Sequence, residues 1–238
     1  MQIAIDIGNT RAKFAHFEER KILENYILPH EEVRGRLTEL ISNHEEIIIS
    51  STKDYGNLNL DLALLDKVLV LDSKVNLPVE INYKTPQTLG NDRLANVVGA
   101  MNLYPAQNLL VIDTGTCFTY DFVTEKGLYL GGNISPGLHL RIKAMNSYTD
   151  KLPLIDLRSE FDFIGGSTDE ALNNGVWNGC LGEIEHYCER FLREFENAAI
   201  IITGGDTEIF GKALKNSIFA NPFLTLIGLN EILLFNRT

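Results

Sequence analysis

The stretch at 1–13, MQIAIDIGNTRAK, has an echo at 109–121, LLVIDTGTCFTYD. Each runs an apolar segment into an aspartate, Asp6 or Asp113, then a turn with Gly and Thr, then a second extended segment. In one copy this is a hairpin in which Gly supplies positive φ and Asn or Asp favours the bend. It is equally a carboxylate at a strand end, facing a turn whose amides and hydroxyl can cradle phosphate oxygens. Successive amides form such an anion nest without a P-loop lysine. The whole strand–turn–strand–turn–strand unit recurs, at 1–28 and 108–134. That repetition favours the second reading. A duplicated unit can fold its hairpins face to face, so that Asp6 and Asp113 bracket one cleft and hold cations beside a polyphosphate.

Elsewhere the pattern alternates. Residues 11–17 read as the partner of the first strand, KILENYIL as a third strand, and 31–44 as a helix with Val33, Leu37, Leu40 and Ile41 on one face. Apolar runs at 46–50 and 67–71, separated by a short helical stretch, add buried strands. The alternation predicts a partly parallel sheet covered by helices. Pro105 closes a helix before the second unit and places a boundary near 104–107, giving halves 1–107 and 108–238. In the second half, strands are expected at 108–113, 117–123 and 128–130, and a long helix over 167–196. Ser167 and Glu170 have capping-box spacing. Leu172, Val176, Cys180, Ile184, Tyr187 and Phe191 form an apolar stripe. A strand at 199–203 runs into Gly204-Gly205-Asp206 and a last clear helix.

Composition narrows the partners. The chain has 238 residues, 45% hydrophobic and 22% charged, as expected of an ordinary globular protein with a substantial core. Its 21 Lys and Arg against 32 Asp and Glu give a net charge of −11. That balance disfavours nucleic acid or an anionic membrane as partner, because either needs a basic footprint. A small anionic ligand held by backbone amides is still allowed. The three cysteines, Cys117, Cys180 and Cys188, have no CxxC spacing, which argues against a disulfide framework or zinc and for a reducing compartment. No run reaches the length of a membrane span, and Met1 adjoins the first strand without room for a cleavable signal, so a cytoplasmic protein is expected.

Neither GxxxxGK[ST] nor GxGxxG occurs, which removes the P-loop and dinucleotide readings. A third glycine-rich element, ITGGD at 202–206, is a strand-to-helix turn or a site where backbone closely approaches a flat adenosine. The ordered set resembles the acetate and sugar kinase, Hsc70 and actin superfamily. That resemblance implies an α/β fold with a duplicated ribonuclease H-like (actin-like ATPase) core, its two subdomains carrying mixed sheets flanked by helices, with ATP bound between them. It does not choose between a kinase, a phosphatase and a chaperone.

The discriminating stretch is TPQTLGNDRLANVVGA at 85–100. Leu94, Val97, Val98 and Met101 mark a helix beginning soon after Gly90, which puts Asp92 and Arg93 at its start. Asp92 there is a helix cap or a general base. Arg93 is a surface cation or a binder of a polar or anionic substrate. With DIGNT at 6–10, TPQTLGNDR at 85–93, DTGT at 113–116, GGNISPG at 131–137 and TGGD at 203–206, the chain resembles the type III pantothenate kinases over nearly its full length.

The resemblance implies ATP-dependent phosphorylation of the primary hydroxyl of pantothenate, the first step toward coenzyme A. It makes Asp92 the general base and puts Gly90, Asn91 and Arg93 in the pantothenate loop. Tyr83 and Thr168 match further substrate positions. Asp6, Ile7, Gly8, Asn9, Thr10, Arg11, Ala12 and Lys13 match the first ATP stretch and Thr116 a second ATP contact. Asp113 matches a monovalent-cation ligand for K⁺ or NH₄⁺, and Asp6 is placed beside the Mg²⁺ that accompanies ATP. A homodimer is implied, and GGNISPG is implied to be a loop. The departures are Asn91 in place of the usual Ala, Cys117-Phe118 after DTGT, and Gly166 where the family often has Lys. Two other readings stay open: another small-molecule kinase or phosphatase of the superfamily, and a regulatory protein akin to the Bvg accessory factors.

Overall fold

A computed structural model describes residues 1–43, 46–52, 68–158, 160–214 and 218–237. Its first sheet is built from β1 (Gln2–Ile7), β2 (Ala12–Glu18), β3 (Lys21–Leu28), β4 (Glu46–Ser51) and β5 (Leu69–Val70), in the order β3-β2-β1-β4-β5. β1 pairs antiparallel with β2 and parallel with β4, so it is the central strand. Every residue of β1 is buried. Ile3, Ile5 and Ile7 share a core with Val33, Leu37 and Leu40 of α1 (His30–Ser42). The alternate residues, Ala4 and Asp6, face the other way. A strand covered on both faces needs no polar alternation, which explains the near-continuous apolar run.

The opposite face is covered by α2 (Asn91–Leu103) and a C-terminal helix. These two helices approach through glycines. A Cβ at Gly228 would lie 1.7 Å from the Ala95 carbonyl oxygen, and one at Gly99 would lie 2.5 Å from that of Leu224. A buried bond from Thr225 Oγ1 to Asn96 Oδ1, 2.7 Å, locks the pair. A short strand, β6 (Glu80–Ile81), pairs in parallel with Leu128 and Tyr129.

The second sheet repeats the first. Besides β6, its edge strand next to β9, its strands are β7 (Asn108–Thr114), β8 (Cys117–Val123), β9 (Leu128–Pro136), β10 (Ala198–Thr203) and β11 (Ile218–Ala220). They are ordered β9-β8-β7-β10-β11, which is the 3-2-1-4-5 order of the first sheet. Here α3 (Leu138–Ser147), α4 (Thr168–Glu194) and α5 (Thr207–Ala213) supply the helical layers. Leu110, Ile112, Phe118 and Tyr120 pack with Leu138, Trp177, Ile184 and Phe210 in one core. The C-terminal helix, α6 (Leu224–Phe235), ends the chain.

Contacts gather residues 1–109, 123–131 and 223–238 into one unit, and 110–122 with 132–222 into another. In the first of these, α6 returns to pack with α2. Several sequence boundaries shift. The first helix runs over 30–42, and His44 of the expected 31–44 lies outside the described residues, as do Lys67 and the helical stretch expected before it. The GGNISPG segment is not a loop. Its residues 131–136 continue β9, and only Gly137 lies outside, capping α3. The long helix begins where expected, with Ser167 Oγ accepting from Glu170 N at 3.3 Å. Glu170 reaches back to Gly166 N at 2.8 Å, one residue beyond the usual box.

Candidate active site

In the first unit, β1 delivers Asp6 to the carboxyl end of the sheet, where open α/β sheets place their ligands. Asp6 is only 8% exposed and is in register with Lys13 across the hairpin and with Ser50 on β4. The turn closes by Gly8 N donating to Arg11 O, 3.1 Å. His30 Nε2 lies 3.1 Å from Gly8 O, and Thr52 N donates to Ile7 O at 3.0 Å. Asn9, Thr10 and Arg11 are exposed at the tip, while Ile7 and Ala12 are buried beneath it. The tip therefore offers side chains and amides to solvent from a rigid base.

Asp92 and Arg93 belong to the same unit, in the first turn of α2. Asp92 Oδ1 accepts from Arg93 N at 2.8 Å, which fixes the carboxylate at the positive end of the helix. Gly90 makes this possible, since a Cβ there would sit 2.4 Å from Asp92 Oδ1. Asn91 Nδ2 donates to Leu71 O at 2.6 Å and ties the helix start to the end of the β5 region. Arg93 is 5% exposed, so the surface-cation reading of it fails. Tyr83 is half-buried, its ring 6.1 Å from that of Tyr129 and tilted to it.

The second unit assembles the other three motifs. Thr114 Oγ1 donates to Thr203 O at 2.8 Å, and Asp206 N donates to Thr114 O at 3.0 Å. Gly204, at φ +102°, comes so close that a Cβ would be 2.5 Å from Asp113 Oδ1 and 2.6 Å from Thr114 N. From the other side Gly137 N donates to Thr116 O at 3.0 Å, and a Cβ on Gly137 would meet Gly115 O at 2.3 Å. DTGT, SPG and TGGD are thus one packed backbone assembly, with Thr116 exposed and Asp113 half-buried. Burial pushes the Asp206 carboxyl up, partly offset by His139. Thr168, exposed at the start of α4, lines a cavity of about 750 Å³ in this unit together with Ser135, Arg141 and Glu183.

The donor sets suit two kinds of cation. Among the described residues no group of three His, Cys, Asp or Glu side chains gathers to cage a metal. One buried carboxylate, Asp6, fits a Mg²⁺ carried mainly by phosphate oxygens. Asp113 beside the closely packed backbone of Thr114 and Gly204 presents hard oxygens of the kind an alkali cation takes. The sequence signals missed the Glu183 side of the cavity, because a glutamate on a long amphipathic helix looks like any solvated face.

The repeated sheets and ordered motifs define a member of the actin-like ATPase and sugar kinase fold. Solved structures agree. A Campylobacter jejuni protein described as a Baf family transcriptional activator superposes at TM-score 0.66 with 19% identity, covering 98% of each chain. An inorganic polyphosphate/ATP-glucomannokinase from Arthrobacter superposes at 0.52 with 16% identity, covering 99% of each. Both likenesses concern the fold. A type III pantothenate kinase family model matches residues 2–190. A type III pantothenate kinase from Christiangramia forsetii is 41% identical over 100% of both chains. The chain belongs to the type III pantothenate kinase family.

Proposed function

We propose that the chain is an ATP:pantothenate phosphotransferase, catalysing the first step of coenzyme A biosynthesis. The observation that carries the reading furthest is the Asp92 carboxylate, held by Arg93 N at the start of α2 in space that Gly90 leaves open. In this reading Asp92 accepts the proton of the pantothenate primary hydroxyl as that oxygen attacks the γ-phosphorus of ATP and ADP leaves. A carboxylate suffices because phosphoryl transfer passes through a loose transition state in which positioning and electrostatics dominate. Gly90, Asn91, Arg93, Tyr83 and Thr168 orient the pantothenate. The 6–13 turn and Thr116 hold the phosphates. Asp6 would be the protein-side carboxylate for the Mg²⁺ that accompanies ATP, which would supply charge neutralisation at the phosphates, and Asp113 would hold K⁺ or NH₄⁺.

Assembly as a cytoplasmic homodimer, and descent of the halves 1–107 and 108–238 from one duplicated unit, belong to the same proposal. The shared 3-2-1-4-5 strand order supports the second point. No helix among the described residues is long and apolar enough to cross a membrane. The regulatory reading is not favoured, because full-length relatives at about the same length carry the kinase name and Asp6, Asp92 and Asp113 are all present. The test is formation of 4′-phosphopantothenate from pantothenate and MgATP, with K⁺, with NH₄⁺ and with neither. Product is expected, with a rate stimulated by either cation. No product under any of these conditions overturns the proposal.

A further inference from the structure

Glu183, in the middle of α4, collects donors from three other elements. Its Oε1 accepts from Ser135 Oγ on β9 and from Tyr120 OH on β8, the latter at 2.9 Å. Its Oε2 pairs with Arg141 Nη2 on α3. Burial alone pushes the Glu183 carboxyl up, but the hydrogen bonds from Ser135, Arg141 and Tyr120 outweigh it and hold the group below its usual range. Burial and the facing glutamate push the Tyr120 phenol well above its usual range, so it remains a donor. Arg141 has a second edge in use, with Nε donating to Pro136 O at 2.8 Å. Its backbone N donates to Gly137 O at 3.0 Å.

Ser135, Pro136 and Gly137 are therefore fixed at three successive points. On the far side of this strand end lies the DTGT turn, reached through the Gly137 N to Thr116 O bond and the Gly137–Gly115 contact. A partly buried ion pair adds little net stability over a packed apolar substitute. What it supplies here is a fixed backbone position. Arg141 suits that work because two nitrogens of one rigid planar fork serve Pro136 and Glu183, whereas an ammonium has all its donors on a single atom at the end of a flexible stem.

We propose that Glu183 and Arg141 are positioning residues for phosphoryl transfer, clamping the Ser135–Gly137 segment, where β9 runs into α3, so that it holds the Gly115–Thr116 turn against the nucleotide. This rests on the reading of Thr116 as an ATP contact. In this proposal both residues act on the nucleotide through the backbone.

The experiment compares Glu183→Gln, Arg141→Lys and Thr116→Val in the full chain by steady-state kinetics in each substrate and by thermal unfolding. Glu183→Gln and Arg141→Lys are each expected to raise KM for ATP about tenfold, with KM for pantothenate within about twofold. Arg141→Lys is expected not to restore the ATP parameter although it keeps the charge. Ser135→Ala, which removes one hydroxyl from the same clamp, is expected to raise KM for ATP about threefold and covers the case in which a charge variant does not fold. A raised KM for ATP in Thr116→Val with none in Glu183→Gln, Arg141→Lys and Ser135→Ala overturns the clamp alone. Thr116→Val without effect sinks the nucleotide reading of the turn, and the clamp with it. A rise in KM for pantothenate in place of ATP also overturns the proposal, and assigns the clamp to the adjoining cavity of about 750 Å³.

Discussion

The two Asp-x-Gly-x-Thr turns share a sequence pattern and differ in what surrounds them. The first, at 6–10, ends in exposed Asn9, Thr10 and Arg11, and its closing bond is local, Gly8 N to Arg11 O. The second, at 113–116, is packed from two sides by backbone, Gly137 against Gly115 and Gly204 against Asp113. The first turn thus presents side chains on a strand end, whereas the second presents a backbone surface shaped by glycine close approach. The two copies of the proposed phosphate turn are held by different physical means.

Between the two turns in sequence stands the residue with the largest expected effect. Asp92→Asn keeps the shape and the hydrogen bond to Arg93 N but removes the base. Turnover is expected to fall by roughly 10²–10⁴, the usual contribution of a positioned general base. Nucleotide-dependent thermal stabilisation is expected to stay near that of the unmodified protein, because the proposed phosphate contacts lie in the two turns. Near-normal turnover in this variant removes Asp92 from the mechanism and leaves the turns without a chemical step to serve.

The contrast between the turns is broken or sharpened by one methyl group at a time. Gly204→Ala puts a Cβ within 2.5 Å of Asp113 Oδ1 at a φ of +102°, and Gly137→Ala puts one within 2.3 Å of Gly115 O. Each is expected to destabilise the protein by roughly 1–3 kcal/mol, from overpacking and, at Gly204, from backbone strain. Both should also weaken ATP-dependent stabilisation. Gly8→Ala meets only an ordinary contact, 3.4 Å to Arg11 O, and is expected to change stability by less than about 0.5 kcal/mol. Chemical denaturation with and without MgATP measures all three. Equal losses at Gly8 and Gly204 would mean that the first turn is as tightly constrained as the second.

The sequence made the repeat legible because two features survive divergence: an apolar run of period-independent burial, and an aspartate followed by a tight turn. It also located Asp92 at a helix start, since Gly90 and the apolar spacing from Leu94 leave little freedom there. Tertiary partners were less legible. The FLTLIGLNEILLF segment is apolar all round, so it has no helical stripe to read, and only its packing on α2 through Gly228 and Gly99 explains the pattern. The resemblance implied a loop at GGNISPG, yet residues 131–136 are strand, with Gly131 at φ +113° against the Tyr83 ring. Glu183 carried no signal at all, because its three donors come from β8, β9 and α3.

Asn91 offers the smallest and most specific test of how the site is held. An amide at this position, next to Asp92, has two uses open to it, substrate contact or structure. Its Nδ2 is committed to Leu71 O at 2.6 Å, which ties the start of α2 to the end of β5, the edge strand of the first sheet. The second turn has its own side-chain tether, Thr114 Oγ1 to Thr203 O at 2.8 Å, in addition to its backbone packing. Asn91→Ala is therefore expected to cost about 1 kcal/mol, the net value of one hydrogen bond, and to lower Tm by about 2–4 °C for a chain of this size. KM for pantothenate is expected to change by less than about twofold, since any substrate contact from this residue would come from its backbone. A tenfold rise in that KM with unchanged Tm would make the Asn91 side chain a substrate ligand instead. The Leu71 bond would then be a resting contact that pantothenate displaces.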